Sequence, residues 1–332
     1  MGLTIVLLLG SIVVILVAAE LFTNSVEWLG KKLNLGEGAV GSILAAVGTA
    51  MPETMIPIIA ILFVGGEAAH EIGIGAILGA PFMLSTAAFS VTGIAILVFS
   101  RNGGRSTQLT VNESILGRDM GYFIVVYLLA VAAAFIPSHL VKLGVAALLL
   151  ALYALYVFKT LSEESSSLAG ELHPLHFNTS NGTPALWKVL VQFAFALGIM
   201  IVGAKVFVGQ VEVVAQVLRV PALVLSLIIA PLATELPEKF NSIIWVRSGK
   251  DTLAMGNITG AMVFQSCVPV AIGMAFTSWQ LETPALVSAA IALTSTGLVL
   301  GMMQLPGLIT AQMLASVGVL YLAYVGYVVV LL

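Results

Sequence analysis

Two glutamates, each directly after a proline inside an apolar stretch, are the residues of this chain best suited to chemistry. Residues 43–60 read ILAAVGTAMPETMIPIIA and residues 228–245 read IIAPLATELPEKFNSIIW. At an offset of 185 positions Thr49 matches Thr234, Pro52 matches Pro237 and Glu53 matches Glu238. A charge at the centre of a membrane helix costs about 2.5–3.5 kcal/mol on insertion scales, so carboxylates kept at two matching positions point to use. Each proline removes a backbone donor and crowds the turn before it. That predicts interrupted helices whose freed carbonyls, in that turn or near Ala46 and Pro231, face a cavity rather than lipid. Carboxylate, threonine hydroxyl and carbonyl are hard oxygen ligands of the kind that hold Ca²⁺. Thr49 and Thr234 lie one turn before the glutamates and share their helix face. The plainer alternative is a pair of kinked helices whose glutamates are protonated or ion-paired.

The elements that must position these residues are membrane helices. Of 332 residues 60% are hydrophobic and 9% charged, against about 25% charged in soluble domains. Apolar runs long enough to span a bilayer, about 20 residues, recur throughout. We expect an all-α polytopic membrane protein with ten spans, near 3–23, 39–63, 71–99, 120–137, 140–159, 186–209, 221–246, 252–276, 283–303 and 307–331. The first run has no basic segment before it and reads as a retained span rather than a cleaved signal. Cys267 is the one cysteine, so no intrachain disulfide forms. Residues 160–185, rich in Ser, Glu, Asn and Gly, read as a flexible surface loop. It separates a first five-helix unit (1–159) from a second (186–332).

The repeat extends beyond the motif. At the same offset Ala19 matches Ala204, Phe22 Phe207, Val26 Val211, Glu27 Glu212 and Leu33 Leu218. With five spans per unit, the second unit enters the membrane from the opposite side, giving an inverted repeat. Lys and Arg in short loops set the orientation. With both termini outside, Lys31, Lys32, Arg101, Arg105, Arg118, Lys159, Lys188, Arg247 and Lys250 fall inside, and Lys142 and Arg219 outside. The central loop is then cytoplasmic.

GTAMPE and ATELPE resemble the GTSLPE-type signatures of the calcium/cation antiporter superfamily, the sodium/calcium exchangers and their relatives. The resemblance covers nearly the whole chain. It implies exchange of Ca²⁺ against Na⁺ or H⁺ by alternating access. Glu53 and Glu238 would be the central metal ligands, Thr49 and Thr234 flanking ligands, and the carbonyls of Ala46 and Pro231 would assist. The chain also departs from the pattern. Such proteins follow each motif with a GNxxGSNxxN-like helix, whose Ser and final Asn or Asp add ligands. Here GAILGAPFML (75–84) puts Ala80 and Leu84 at those two places. GNITGAMVFQ (256–265) keeps Asn257 and puts Ala261 and Gln265 there, so of these four only Gln265 can coordinate through its side chain. Ala50 and Glu235 replace the serines after Thr49 and Thr234. Glu235 is a candidate third carboxylate. Lys239 lies four residues on in the favourable order. It reads either as a stand-in for a coupling cation or, preferably, as a local partner that neutralises Glu235 or holds it at the rim.

Three further features are expected to be peripheral. Glu20 and Lys205, also matched, are placed near span ends on opposite faces, each snorkelling to its interface. His173 and His176 form HPLH in the polar loop and read as solvated. His70 and His139 read as interfacial.

No GxxxxGK[ST] loop occurs, so energy from ATP hydrolysis in this chain is not expected. The leading reading is a secondary antiporter of a divalent cation, Ca²⁺ first and Mg²⁺ or Mn²⁺ as alternatives. Proton coupling is favoured over sodium, because Ala80, Leu84 and Ala261 cannot build sodium cages, whereas protons need only carboxylates that accept them when the metal leaves. An intramembrane enzyme using paired glutamates and a passive channel are the other classes. No HExxH pattern supports the first; a channel would lack counter-ion dependence. The expected partners are lipid and inorganic cations, with no nucleic acid and no cofactor.

Overall fold

The computed structural model describes residues 2–32, 50–101, 105–163, 173–178, 183–303 and 310–331, without the side chains of 161–163, 236–241 and 331. Within them the chain is helical. We number the spans α1 (Gly2–Lys32), α2 (Met51–Val64), α3 (Glu67–Arg101), α4 (Glu113–Ala134), α5 (His139–Glu163), α6 (Leu186–Leu218), α7 (Ala222–Arg247), α8 (Asp251–Phe276), α9 (Thr283–Met303) and α10 (Ala311–Ser316, then Gly318–Leu331). Leucine, isoleucine and valine stripes turned outward on α1, α5, α6 and α10 are the lipid-facing surface. A bilayer offers the backbone no hydrogen bonds, which is why every span closes its own.

The first helices of the two halves, α1 and α6, run antiparallel, as an inverted repeat requires. Gly203 of α6 packs on Val14 and Ile15 of α1. At the other end Gln192 of α6 donates to the Leu21 carbonyl (2.8 Å) and to Asn24 Oδ1 (2.9 Å) of α1. Pairs that alternate an even number of times run parallel. Gly75 and Gly79 of α3 meet the carbonyls of Leu223 and Leu227 of α7 in that order. Asp119 and Ala130 of α4 meet Thr259 and Trp279, at the start and just beyond the end of α8.

The α3–α7 contact is backbone against backbone. A Cβ on Gly75 or Gly79 would lie 2.3 Å from a carbonyl oxygen of α7, so the small-xxx-small spacing fixes the approach. The motif that carried no ligands at Ala80 and Leu84 thus supplies close packing. Two π-helical turns, Ile59–Val64 in α2 and Leu84–Ala88 in α3, shift the helical register. Ser295 of α9 donates to the Ser85 carbonyl within the second.

Two apolar clusters dominate the packing of the described residues. One joins α3, α4, α5, α8, α9 and α10 with the start of α7; the other joins α1, α6 and α2 to one edge each of α3 and α7. α8 is fixed to the first at both ends. Near its start Asp119 Oδ2 accepts from Thr259 (2.9 Å) while Asp119 Oδ1 accepts from Tyr156 of α5 (3.0 Å). Beyond its end Lys142 of α5 donates to the Ser278 and Trp279 carbonyls, and the Trp279 indole donates to Ala130 (3.0 Å). Lys142, assigned to a loop edge by composition, is instead buried. Arg105 forms a two-pronged pair with Asp251 (2.9 and 2.7 Å), tying the α3–α4 connection to the start of α8.

Two expectations are corrected. α1 runs to Lys32 and α6 to Leu218, so Glu20 and Lys205 do not lie near span ends. Glu20 lies beyond Ile15 and Lys205 beyond Gly203, and because α1 and α6 run antiparallel the two fall on opposite sides of that contact. Their side chains still diverge: Glu20 lies 3.7 Å from His176, and Lys205 lies over the Phe63 ring at the far end of α2. The histidines of the HPLH segment are exposed, as read, but the segment is not a free loop. Residues 173–178 are docked on α1 and α6, with Leu175 buried beside Trp28 and Val189.

Candidate cation site

A narrow cleft, too tight to admit a water molecule as it stands, lies where α2, α3 and α7 meet, lined by Glu53, Ile56, Ala76, Ala80, Ala230, Pro231 and Thr234. Glu53 reaches it because α2 starts just before it. Pro52 falls in the first turn, where its missing N–H costs no hydrogen bond. The positive end of the helix dipole then faces the Glu53 carboxylate and favours its charge. Ala50 O, just before this turn, accepts from Thr54 N (3.2 Å) and Thr54 Oγ1 (2.7 Å).

The second copy of the motif folds differently. α7 runs unbroken through Pro237, so the expected interruption is absent there. Thr234 faces the cleft and donates to the Ala230 carbonyl (3.0 Å), which leaves its oxygen lone pairs for a ligand. Pro231 contributes its ring, with Cγ against Gly79, and lines the cleft. Glu235 is 2% exposed, packed inside the helix bundle.

Of the residues selected from sequence, Glu53, Thr234 and Pro231 are brought together. Gln265 is buried on α8 but does not line the cleft, and its amide nitrogen has no hydrogen-bond partner among the described residues. Asn257 is half-buried two turns earlier on α8, about 12 Å away along the axis. Ala46 and Thr49 lie outside the described residues. Glu238 and Lys239 lie on the α7 helix, one turn beyond Thr234 and Glu235, with side chains outside the described set.

Sequence reasoning passed over Asp119. It is 2% exposed, with Arg118, Tyr156 and Thr259 as donors. Its signal was weak: an acid at the edge of an apolar run, with partners 37 and 140 residues away.

Electrostatically the cleft is sparse. Among the described residues one carboxylate and one hydroxyl line it, and the remaining wall is the hydrocarbon of Ile56, Ala76, Ala80, Ala230 and Pro231. Such a place holds a desolvated cation only with further oxygens from neighbouring turns.

The sequence pattern of the family described as "Sodium/calcium exchanger protein" matches residues 3–161 and 188–332. The inner membrane protein YrbG of Escherichia coli (strain K12) is 23% identical over 277 residues, covering 83% of this chain and 81% of that one. Two solved structures share the fold. The H⁺/Ca²⁺ exchanger CAX superposes with a TM-score of 0.68 at 14% identity, over 98% of this chain and 88% of its own. The sodium-calcium exchanger NCX_Mj does so with 0.60 at 17% identity, over 98% of each. With two helical halves whose first members, α1 and α6, run antiparallel and a family match over both halves, the chain belongs to the sodium/calcium exchanger protein family: it is a membrane antiporter of cations and not an enzyme.

Proposed function

We propose that the protein exchanges Ca²⁺ for protons across a cell membrane, with Glu53 and Glu238 as the central ligands. Thr49 and Thr234 flank them, the Ala46 and Pro231 carbonyls assist, and Gln265 and Glu235 complete the site. Mg²⁺ and Mn²⁺ are the alternative cargoes. The observation that carries this reading is the cleft itself: Glu53 faces Thr234, and alanines occupy the wall where extra oxygens would be needed for sodium. Protons require no such cage; they compete with the metal for the same carboxylates. Alternating access follows from motion of the α1–α6 pair, whose apolar cluster is separate from that of α4, α5, α8, α9 and α10.

The test is divalent uptake into proteoliposomes with one gradient imposed at a time. A proton gradient is expected to stimulate uptake about tenfold, the equivalent of 1.4 kcal/mol of driving force. A sodium gradient at fixed pH is expected to leave it within about twofold, near 0.4 kcal/mol on the same scale. Uptake should fall as protons are added on the side from which the metal enters. Strong stimulation by sodium alone would replace the proton reading with sodium exchange, and uptake indifferent to both gradients would indicate a channel.

The charge bias places both termini outside and the central loop in the cytoplasm. On a Cys267→Ser background, Ser138→Cys, exposed between α4 and α5, should react with an impermeant thiol reagent in intact cells. Ser166→Cys should not react until the cells are opened. The reverse pattern would invert the topology.

A further inference from the structure

The docked segment 173–178 forms a polar node with α1 and α6 that the transport site does not use. Asn24 of α1 and Gln192 of α6 are both buried. The Asn24 amide nitrogen donates to the carbonyls of His173 (3.3 Å) and Pro174 (3.4 Å). Its oxygen accepts from His176 N (3.3 Å) and from Gln192 Nε2 (2.9 Å). Gln192 Nε2 also reaches the Leu21 carbonyl, and Gln192 Oε1 accepts from Phe177 N (2.9 Å). Trp28 Nε1 donates to His173 O (2.9 Å), and Lys188 Nζ to Asn178 Oδ1 (2.8 Å). Each of these two amides therefore uses both its oxygen and its nitrogen, and each ties the segment to one helix and that helix to the other. Leu175 fills the apolar gap between Trp28 and Val189, and the Phe177 ring lies 5.4 Å from Phe195. A fully satisfied buried network of this kind specifies one arrangement and is costly to open.

We propose that residues 173–178 are a clasp that joins α1 and α6 into one moving unit and stays closed throughout the transport cycle. The segment enters the chain just before α6, yet all its described hydrogen bonds outside itself go to α1 and α6. It therefore travels with the pair, not with the body built on α4, α5 and α8. This rests on the reading that the pair moves during antiport.

The test is a cysteine pair, Trp28→Cys of α1 with Leu175→Cys of the segment, packed together here, on the Cys267→Ser background in the full-length protein in vesicles. The two positions are closed by a short bis-thiol reagent. Cross-linking is expected at the same rate with and without Ca²⁺, and the cross-linked protein should transport within about twofold of the untreated one. A cross-linking rate that changes about tenfold with Ca²⁺ would show a clasp that opens and would overturn the proposal, tenfold being 1.4 kcal/mol in population. So would failure to cross-link, or arrest of transport by the reagent. Asn24→Leu is expected to lower maximal transport about tenfold, as for one buried network lost, with the half-saturating Ca²⁺ concentration unchanged. Cross-linking in that background should restore part of the rate, which a merely destabilised protein would not show. A wild-type protein without antiport would sink the antiporter reading, and the cross-linking rates would still decide on the clasp.

Discussion

Glu53→Gln is expected to reduce divalent-cation transport about 30-fold or more while leaving the protein folded, and Glu238→Gln to do the same. The isostere keeps the shape, removes the charge and turns one acceptor oxygen into a donor nitrogen. Deleting one partner of a buried charge interaction costs about 2–5 kcal/mol, and a divalent ion bound between two carboxylates depends on both. Glu53 is 6% exposed and lines the cleft, so bulk water cannot stand in for the lost charge. Uptake into proteoliposomes, beside thermal melting of the same preparations in detergent, makes the comparison. Wild-type rates in both variants would remove these residues from the site. Loss in Glu53→Gln alone would leave the first half of the repeat as the functional one.

Gly79→Val is expected to be the most damaging change outside the carboxylates. The new Cβ would stand 2.3 Å from the Leu227 carbonyl oxygen and 2.7 Å from Pro231 Cγ. Neither neighbour is the free end of a flexible side chain, so α3 and α7 must separate, and the cleft between Ala76, Ala80 and Thr234 changes shape with them. Overpacking costs about 1–3 kcal/mol and more where backbone must move; we expect the upper end and loss of most transport. The control is Gly121→Ala, where nothing lies within 4 Å. Equal melting temperatures for Gly79→Val and wild type would show that the two backbones are not held at contact distance.

Long apolar runs made most spans legible: residues 283–303 were read as a helix with the bounds found, and 252–276 differs by one residue. The first span, read as 3–23, ends nine residues later at Lys32. The polar node of Asn24 and Gln192 lets the helix continue, and a partner 168 residues away is invisible in one sequence. The same limit hid Asp119. The π-helical turns were illegible for another reason: no residue type marks where a helix takes in an extra residue. In the site, the matched motifs led directly to Glu53 and Thr234. They did not show that the two halves treat their prolines differently, because residue pattern gives the strain and not the way it is relieved. In the first half Pro52 falls at a helix start, and in the second α7 carries Pro237 inside.

The opposite charges of Glu20 and Lys205 bear on electrical behaviour. They sit on the two helices joined by the clasp, on opposite sides of the contact between Gly203 and Ile15. When the pair translates as one body along the membrane normal, a negative and a positive charge travel the same distance in the same direction through the transmembrane field, and the work done on one offsets that on the other. A single elementary charge crossing the whole field would contribute about 2.3 kcal/mol per 100 mV. With that contribution cancelled, the change of face of the empty carrier is blind to voltage as far as these residues are concerned. Any current that accompanies transport then counts the charges of the exchanged ions, and its reversal potential reads out the stoichiometry.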